Sequence, residues 1–274
     1  MNVPADQSKL ISRNLWDTNS GTFSADMLKL TAMITMLIDH IGAGILENLI
    51  VQIPLSAETR NLLIVIDQVL RLIGRVAFPL YCFLLVQGFL HTKSRWKYAG
   101  NLLLFALLSE YPFDFIFSGG IDFSSSNVMF TLLIGLLTMW GIEKAGSKIL
   151  LQLLISAIGI LSATIIHSDY SWMGILLILS LYFFRENRFW QCTISLILFF
   201  SALVLRSAGY YDSVWRSVMR QLSSEYTLVF SFWMMYRYNG RRYLKKGKYL
   251  FYSFYPVHLL LLGAVLRLIL FMIL

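Results

Sequence analysis

Apolar stretches, each long enough to form a helix surrounded by lipid, follow one another from Leu28 to the last residue, with short polar breaks between them. A helix needs about 20 mostly apolar residues to cross a bilayer. Read in this way, the chain predicts nine helices, at roughly 27–48, 70–90, 98–118, 127–142, 148–167, 170–184, 189–206, 222–237 and 249–273. The fourth, sixth and eighth are short for a full span. Residues 51–68 interrupt the pattern with Pro54, Glu58, Arg60 and Asp67 and fit a short surface helix. Residues 1–26 are polar and predict an arm ahead of a single transmembrane domain, 27–274. No cleavable signal peptide is visible, so the first helix is expected to act as an uncleaved anchor. The predicted fold class is all-α: a polytopic integral membrane protein of about nine transmembrane helices.

Composition supports that pattern. Of 274 residues, 57% are hydrophobic, and the mean hydropathy is +0.66. A soluble domain of this size cannot bury so much apolar surface. The net charge of +8 raises the possibility of a nucleic-acid partner. The basic residues argue otherwise, because they sit in alternate loops: Lys93, Arg95 and Lys97; Lys144 and Lys148; Arg185 and Arg188; Arg237, Arg241, Arg242, Lys245, Lys246 and Lys248. The loops at 119–126 and 168–169 carry no Lys or Arg. The positive-inside rule then predicts a cytoplasmic N-terminus and an external C-terminus. Arg216 and Arg220 in the 207–221 loop depart mildly from the alternation. The expected partner is the lipid bilayer and not nucleic acid. Cys82 and Cys192 lie inside apolar runs and form neither a disulfide framework nor a metal motif.

Ionisable residues within spans are costly and are read first as functional. The first helix carries Asp39 and His40. Arg71 and Arg75 share one face of the second helix, being four apart, and Glu110 and Asp114 do the same in the third. Asn127 and Thr131 open the fourth, and His167 and Asp169 close the fifth. At about 1.5 Å of rise per residue, these groups fall at similar depth in the outer half of the membrane. They predict either a polar chamber or an ion-pair network pinning helices together, with Arg75 and Glu110 as a pair. Pro79, Pro112 and Pro256 interrupt predicted helices, as cavity-lining kinks or as packing kinks. Gly42, Gly44, Gly74 and Gly88 predict close helix approach. His258 lies mid-depth in the last helix, and His91 sits on a basic cytoplasmic rim suited to headgroups or to a polyanionic coenzyme.

Several of these residues fall in longer motifs. The stretches Leu30 to Gly42 (LTAMITMLIDHIG), Arg71 to Thr92 (RLIGRVAFPLYCFLLVQGFLHT), Ser109 to Asp114 (SEYPFD), Asn127 to Leu132 (NVMFTL) and Phe254 to Leu259 (FYPVHL) resemble the TraX family, from about 27 to 262. Gln87 stands where that family is expected to carry Glu. The resemblance implies a conjugation-linked membrane protein that acetylates the N-terminus of F-type pilin, in the bacterial inner membrane. A looser resemblance joins the chain to transmembrane acyltransferases of the O-antigen and sugar-acetylating kind. In those a basic residue, ten residues and a His lie on the first helix, as Lys29 and His40 do here, and an aromatic residue precedes a His on the last, as Tyr255 and His258 do.

The expected function is transfer of an acetyl group from acetyl-CoA to an acceptor amine, the N-terminus of a pilin-like or secreted peptide. His40 is the expected general base, with Asp39, Glu110 and Arg75 as its catalytic partners. Lys29, with Lys93, Arg95 and Lys97, is expected to form a basic lip for the coenzyme phosphates. Arg71, Asp114, Asn127, His91, Tyr255 and His258 complete the expected binding set. A sugar or lipid hydroxyl acceptor, a transporter or flippase, and a non-enzymatic pilus-assembly scaffold remain as alternatives. No inverted repeat or nucleotide-binding motif favours the transporter.

Overall fold

A computed structural model describes residues 21–122, 124–243 and 248–273. Most of the predicted N-terminal arm, and Lys245 and Lys246, lie outside the described residues. The described chain forms helices α1 (Ala25–His40), α2 (Glu47–Gln52), α3 (Ala57–Gly74), α4 (Ala77–His91), α5 (Arg95–Phe117), α6 (Val128–Ala145), α7 (Ile149–Ile165), α8 (Ser171–Phe183), α9 (Arg188–Ser207), α10 (Val214–Glu225), α11 (Leu228–Tyr236) and α12 (Lys248–Ile273). Among the described residues, six helical stretches are long and apolar enough to cross a membrane: Ala25–Gln52, Ala57–His91, Arg95–Phe117, Val128–Ala145, Arg188–Tyr210 and Tyr249–Ile273. Ile149–Ile165 and Ser171–Phe183 are apolar but shorter. Large hydrophobic side chains such as Leu107, Leu150, Ile197 and Phe271 stay exposed on the outer faces of the bundle, where lipid replaces a protein partner. This is a multi-pass membrane protein.

The short α8 is central. Met173, Ile175, Leu177, Ile178 and Leu181 are fully buried, because α4, α6, α7 and α9 pack around it. A helix apolar all round needs such a jacket, and α8 supplies the core with contacts on every face. α12 packs along α5, and α1 lies between α3 and α4.

Two element predictions need correction. The stretch 51–68 holds more than a short surface helix: beyond the end of α2 at Gln52, residues 57–68 begin the 18-residue α3, which runs on through Arg75 and Val76 into α4. Its charged residues mislead because an amphipathic helix can turn them to one side. The predicted helix 222–237 is instead the end of α10 and the nine-residue α11, broken at Tyr226 and Thr227. That break is used. Thr227 donates its hydroxyl to the Leu72 carbonyl at 2.6 Å, and Ser231 donates to Val76 at 3.1 Å. At this joint Val76 N–H bonds the Ile73 carbonyl at 3.4 Å and not that of Leu72, which leaves the Leu72 oxygen open to the Thr227 hydroxyl.

Phe23 donates its N–H to the Arg237 carbonyl and Ala25 to that of Arg241, so the start of α1 and the segment after α11 share one face. At the opposite face Arg267 of α12 donates to Gly119 in the α5–α6 loop, at 2.7 Å. The α5–α6 and α7–α8 loops are joined there by Ser126 to His167 and Asp169 to Ser126 main-chain bonds.

Candidate active site

α1 is an ordinary helix until His40. It begins on a Ser24 cap, whose hydroxyl accepts from Met27 N–H. From Ile41 to Leu46 it widens into a π-helical turn, marked by the Glu47 N–H donating to the Gly42 carbonyl. Such turns are rare and recur at functional sites. Gly42 and Gly74 let α1 and α3 meet here. A Cβ on Gly42 would lie 2.7 Å from Oδ1 of Asp67, and one on Gly74 would collide with Asp39. The approach brings Arg71 Nη1 to 2.6 Å from Asp39 Oδ2, with Arg71 Nε 3.6 Å from Glu47.

His40 turns away from Asp39. Neighbouring residues on a helix point about 100° apart at 3.6 residues per turn, so sequence adjacency separates the two side chains. His40 Nδ1 instead lies 2.7 Å from Nε2 of His258 on α12, and His258 Nδ1 lies 2.7 Å from the Phe254 carbonyl oxygen. The two imidazoles are within 7° of coplanar, with centroids 5.0 Å apart. With a 2.7 Å nitrogen–nitrogen contact this is an edge-to-edge, in-plane bond and not a face-to-face stack. Phe117 meets His40 edge-on at 5.6 Å, and Tyr255 does so at 6.1 Å.

Two cavities flank this pair. Named for the sides that the positive-inside expectation assigns to them, they are an outer and an inner chamber; the outer chamber, about 560 Å³, includes Asp39, His40, Glu47, Arg71, Arg75, Asp169, Arg206 and Glu225 in its lining. The inner chamber, about 500 Å³, has Lys29, His91, Lys93, Lys97 and Arg242 together with an apolar wall that includes Met36, Leu84, Leu85 and Leu132, and Tyr255. Both are in the size range of small-molecule sites. Tyr255 borders the inner one and faces His40, which borders the outer one.

The outer chamber has a roof. On α10, Ser217 and Glu225 are buried and Gln221 joins Glu225 in the chamber lining. The opposite face carries exposed Trp215, Met219 and Leu222. An exposed apolar face with a buried polar one is the arrangement of a helix lying in the membrane interface. Arg75 Nε reaches Glu225 at 3.0 Å and ties this roof to the α3–α4 joint. Burial pushes the Glu225 carboxyl up to about 6, against the pull of Arg75. Asp169, in the α7–α8 loop, is also raised by burial, although it accepts a hydrogen bond from Tyr170 N–H.

The structure thus gathers His40, Asp39, Arg71 and Arg75 at one chamber, and Lys29, His91 and Tyr255 at the other. It separates the remaining expected members. Glu110 does not meet Arg75: its Oε2 accepts from the backbone N–H of Asn127 at 3.2 Å and from the Asn127 side-chain amide. Asn127 also donates to the Ala106 carbonyl at 2.8 Å and accepts from Met129 N–H. This pair starts α6, where a carboxylate suits the helix dipole. Asp114 accepts from Asp122 N–H at 3.0 Å and borders neither chamber. Arg95 leaves the lip to pair with Glu143 at 2.8 Å. Asp39 does not orient His40. Sequence reasoning named Asp169 only as closing the fifth helix, and it missed Glu47, Arg206 and Glu225. Their one signal was being acids and bases at the ends of apolar runs.

Buried ion pairs, a histidine pair within the bundle and two cavities on either side of it define a polytopic helical membrane protein with an internal polar site. The match to known sequences is specific. Residues 24–266 match the model of the family described as TraX protein, and the chain belongs to the TraX family. It is also 30% identical over 249 residues to the "Probable fimbrial assembly protein FimC, serogroup H1" of Dichelobacter nodosus, covering 88% of this chain and 94% of that protein. No solved structure matches the chain.

Proposed function

We propose that this protein is an acetyltransferase of the bacterial inner membrane. It takes an acetyl group from acetyl-CoA at the basic, cytoplasmic face and delivers it to an acceptor amine in the outer chamber. The acceptor we infer is the N-terminus of a pilin-like peptide, in keeping with TraX membership and with the fimbrial-assembly name of the relative. One observation carries the reading: His40 stands on the wall of the outer chamber, with the Tyr255 ring between it and the inner one. A base at a partition between two sites is what transfer between them requires, whereas a scaffold has no use for it.

The inner chamber suits the donor. Its lysines and Arg242 match the coenzyme phosphates, and its apolar wall matches the pantetheine arm. In the reaction the acceptor nitrogen attacks the thioester carbonyl carbon, and His40 accepts the proton that nitrogen loses. The carbon–sulfur bond breaks and the departing thiolate takes that proton, so an amide and a free thiol are the only products. Arg75 lines the outer chamber and has N–H donors beyond the one used on Glu225, which suits it to a developing oxyanion.

The test is purified protein in nanodiscs with isotope-labelled acetyl-CoA and synthetic pilin-like peptides, read by mass spectrometry. Acetyl on the peptide α-amine is expected. Labelled sugar or lipid instead would move the acceptor class, and no coenzyme binding at millimolar concentration would favour a transporter or scaffold. A cytoplasmic N-terminus completes the proposal. Reporter fusions after Lys97 should read cytoplasmic and those at Ser125 external, and a cytoplasmic signal at Ser125 would overturn it.

A further inference from the structure

A carbonyl oxygen only accepts hydrogen bonds, so the 2.7 Å contact from Phe254 O requires the hydrogen of His258 to be on Nδ1. A neutral imidazole carries one N–H, which leaves Nε2 of His258 bare. That nitrogen lies 2.7 Å from His40 Nδ1, so His40 must supply the hydrogen. Nδ1 of His40 is therefore protonated and Nε2 is the lone pair. The argument needs both rings neutral. A buried imidazolium is costly without an anionic partner, and the carboxylate nearest in sequence, Asp39, is turned to Arg71.

We propose that His258 is a positioning residue that sets the tautomer of His40, making Nε2 of His40 the atom that accepts the acceptor's proton. This rests on the acetyltransferase reading for its purpose, though not for its geometry. Free imidazoles favour the opposite tautomer, with hydrogen on Nε2, which would leave no base at that nitrogen. His258 borders neither chamber and is only 4% exposed, so it acts through His40 and not on substrate. Its own ring is held by Phe254, stacked at 4.6 Å and 12°. The relay runs from a backbone carbonyl through one imidazole to the next, and needs no carboxylate.

The chain contains four histidines, so nitrogen NMR of the full-length, histidine-labelled protein in nanodiscs can read the tautomer directly, with the His40 signal assigned by its loss in His40→Asn. At neutral pH the parent should show Nδ1 of His40 protonated and Nε2 bare. A hydrogen on Nε2 of His40 in the parent overturns the inference, whatever the His258 variants do. Two variants extend the test. His258→Gln keeps an oxygen that can accept from His40, and should retain turnover within about tenfold of the parent. His258→Phe should lose about 100-fold, the scale of a misplaced base, with the KM for acetyl-CoA unchanged. Equal losses in the two variants would also sink it. If the parent shows the expected tautomer yet transfers no acetyl, the enzymatic reading fails while the histidine relay stands.

Discussion

The two chambers differ in how their charge is held. In the outer one, Arg71 is paired with Asp39 and Glu47, and Arg75 with Glu225. In the inner one the charge includes a set of lysines around an apolar pocket, and Lys29 lies a long 3.9 Å from Asp26. Paired charges inside a bundle hold shape, because each partner's desolvation is repaid only while the other stays in place. Lysines at a rim cost little there and attract a polyanion. The outer chamber is thus built for geometry and the inner for capture, and substitutions in the two should fail in different ways.

The largest effect is expected between the chambers. His40→Ala should lower turnover by about 10²–10⁴-fold, with expression and coenzyme binding near those of the parent. Turnover above roughly a tenth of the parent, far short of a lost base, would remove His40 from its role.

Next comes the outer chamber. Arg71→Leu leaves Asp39 without its partner and should cost about 3–5 kcal/mol of stability, read as a fall in Tm. Adding Asp39→Asn should recover much of it. If Arg71→Leu instead weakens coenzyme binding at unchanged Tm, the contrast between the chambers is wrong.

A smaller effect belongs to the inner rim. Lys93→Gln with Lys97→Gln should weaken coenzyme A binding about tenfold and flatten its salt dependence, since phosphate contacts are screened by added ions. Melting of the free protein should not change.

The smallest is a pH slope from the roof. Glu225 has its carboxyl raised by burial from 4.5 to about 6, so the folded protein holds the proton more tightly than the unfolded chain. Its contribution to stability is full below pH 4.5 and is lost as pH rises through about 6. Glu225→Gln should remove that part of the Tm-versus-pH slope, and an unchanged slope would show that the roof carboxylate is not buried in solution.

Much of the site was legible because buried charge is conspicuous in an apolar chain. His40, Arg71 and Arg75 stand out inside long hydrophobic runs, and each lines the outer chamber. Glu110 and Asp114 stand out equally, yet they cap a helix and bind a loop. Depth along a helix can be counted from sequence, but the direction a side chain takes around the bundle cannot. That is why Arg75 was matched to Glu110 when its partner is Glu225, 150 residues away in the chain.

The order and spacing of apolar runs determined, without coordinates, that this is a helical protein of the membrane, which residues carry costly charge inside it, and that basic groups gather in alternate loops. These properties are local, because they depend on the solvent each residue meets. The tertiary structure decided which charges meet: α3 closing on Gly42 and Gly74 to pair Arg71 with Asp39, α10 folding over to reach Arg75, and α12 bringing His258 to His40 across 218 positions of chain. Hydrogen bonds act over about 3 Å, so partnership is settled only when helices far apart in sequence pack together.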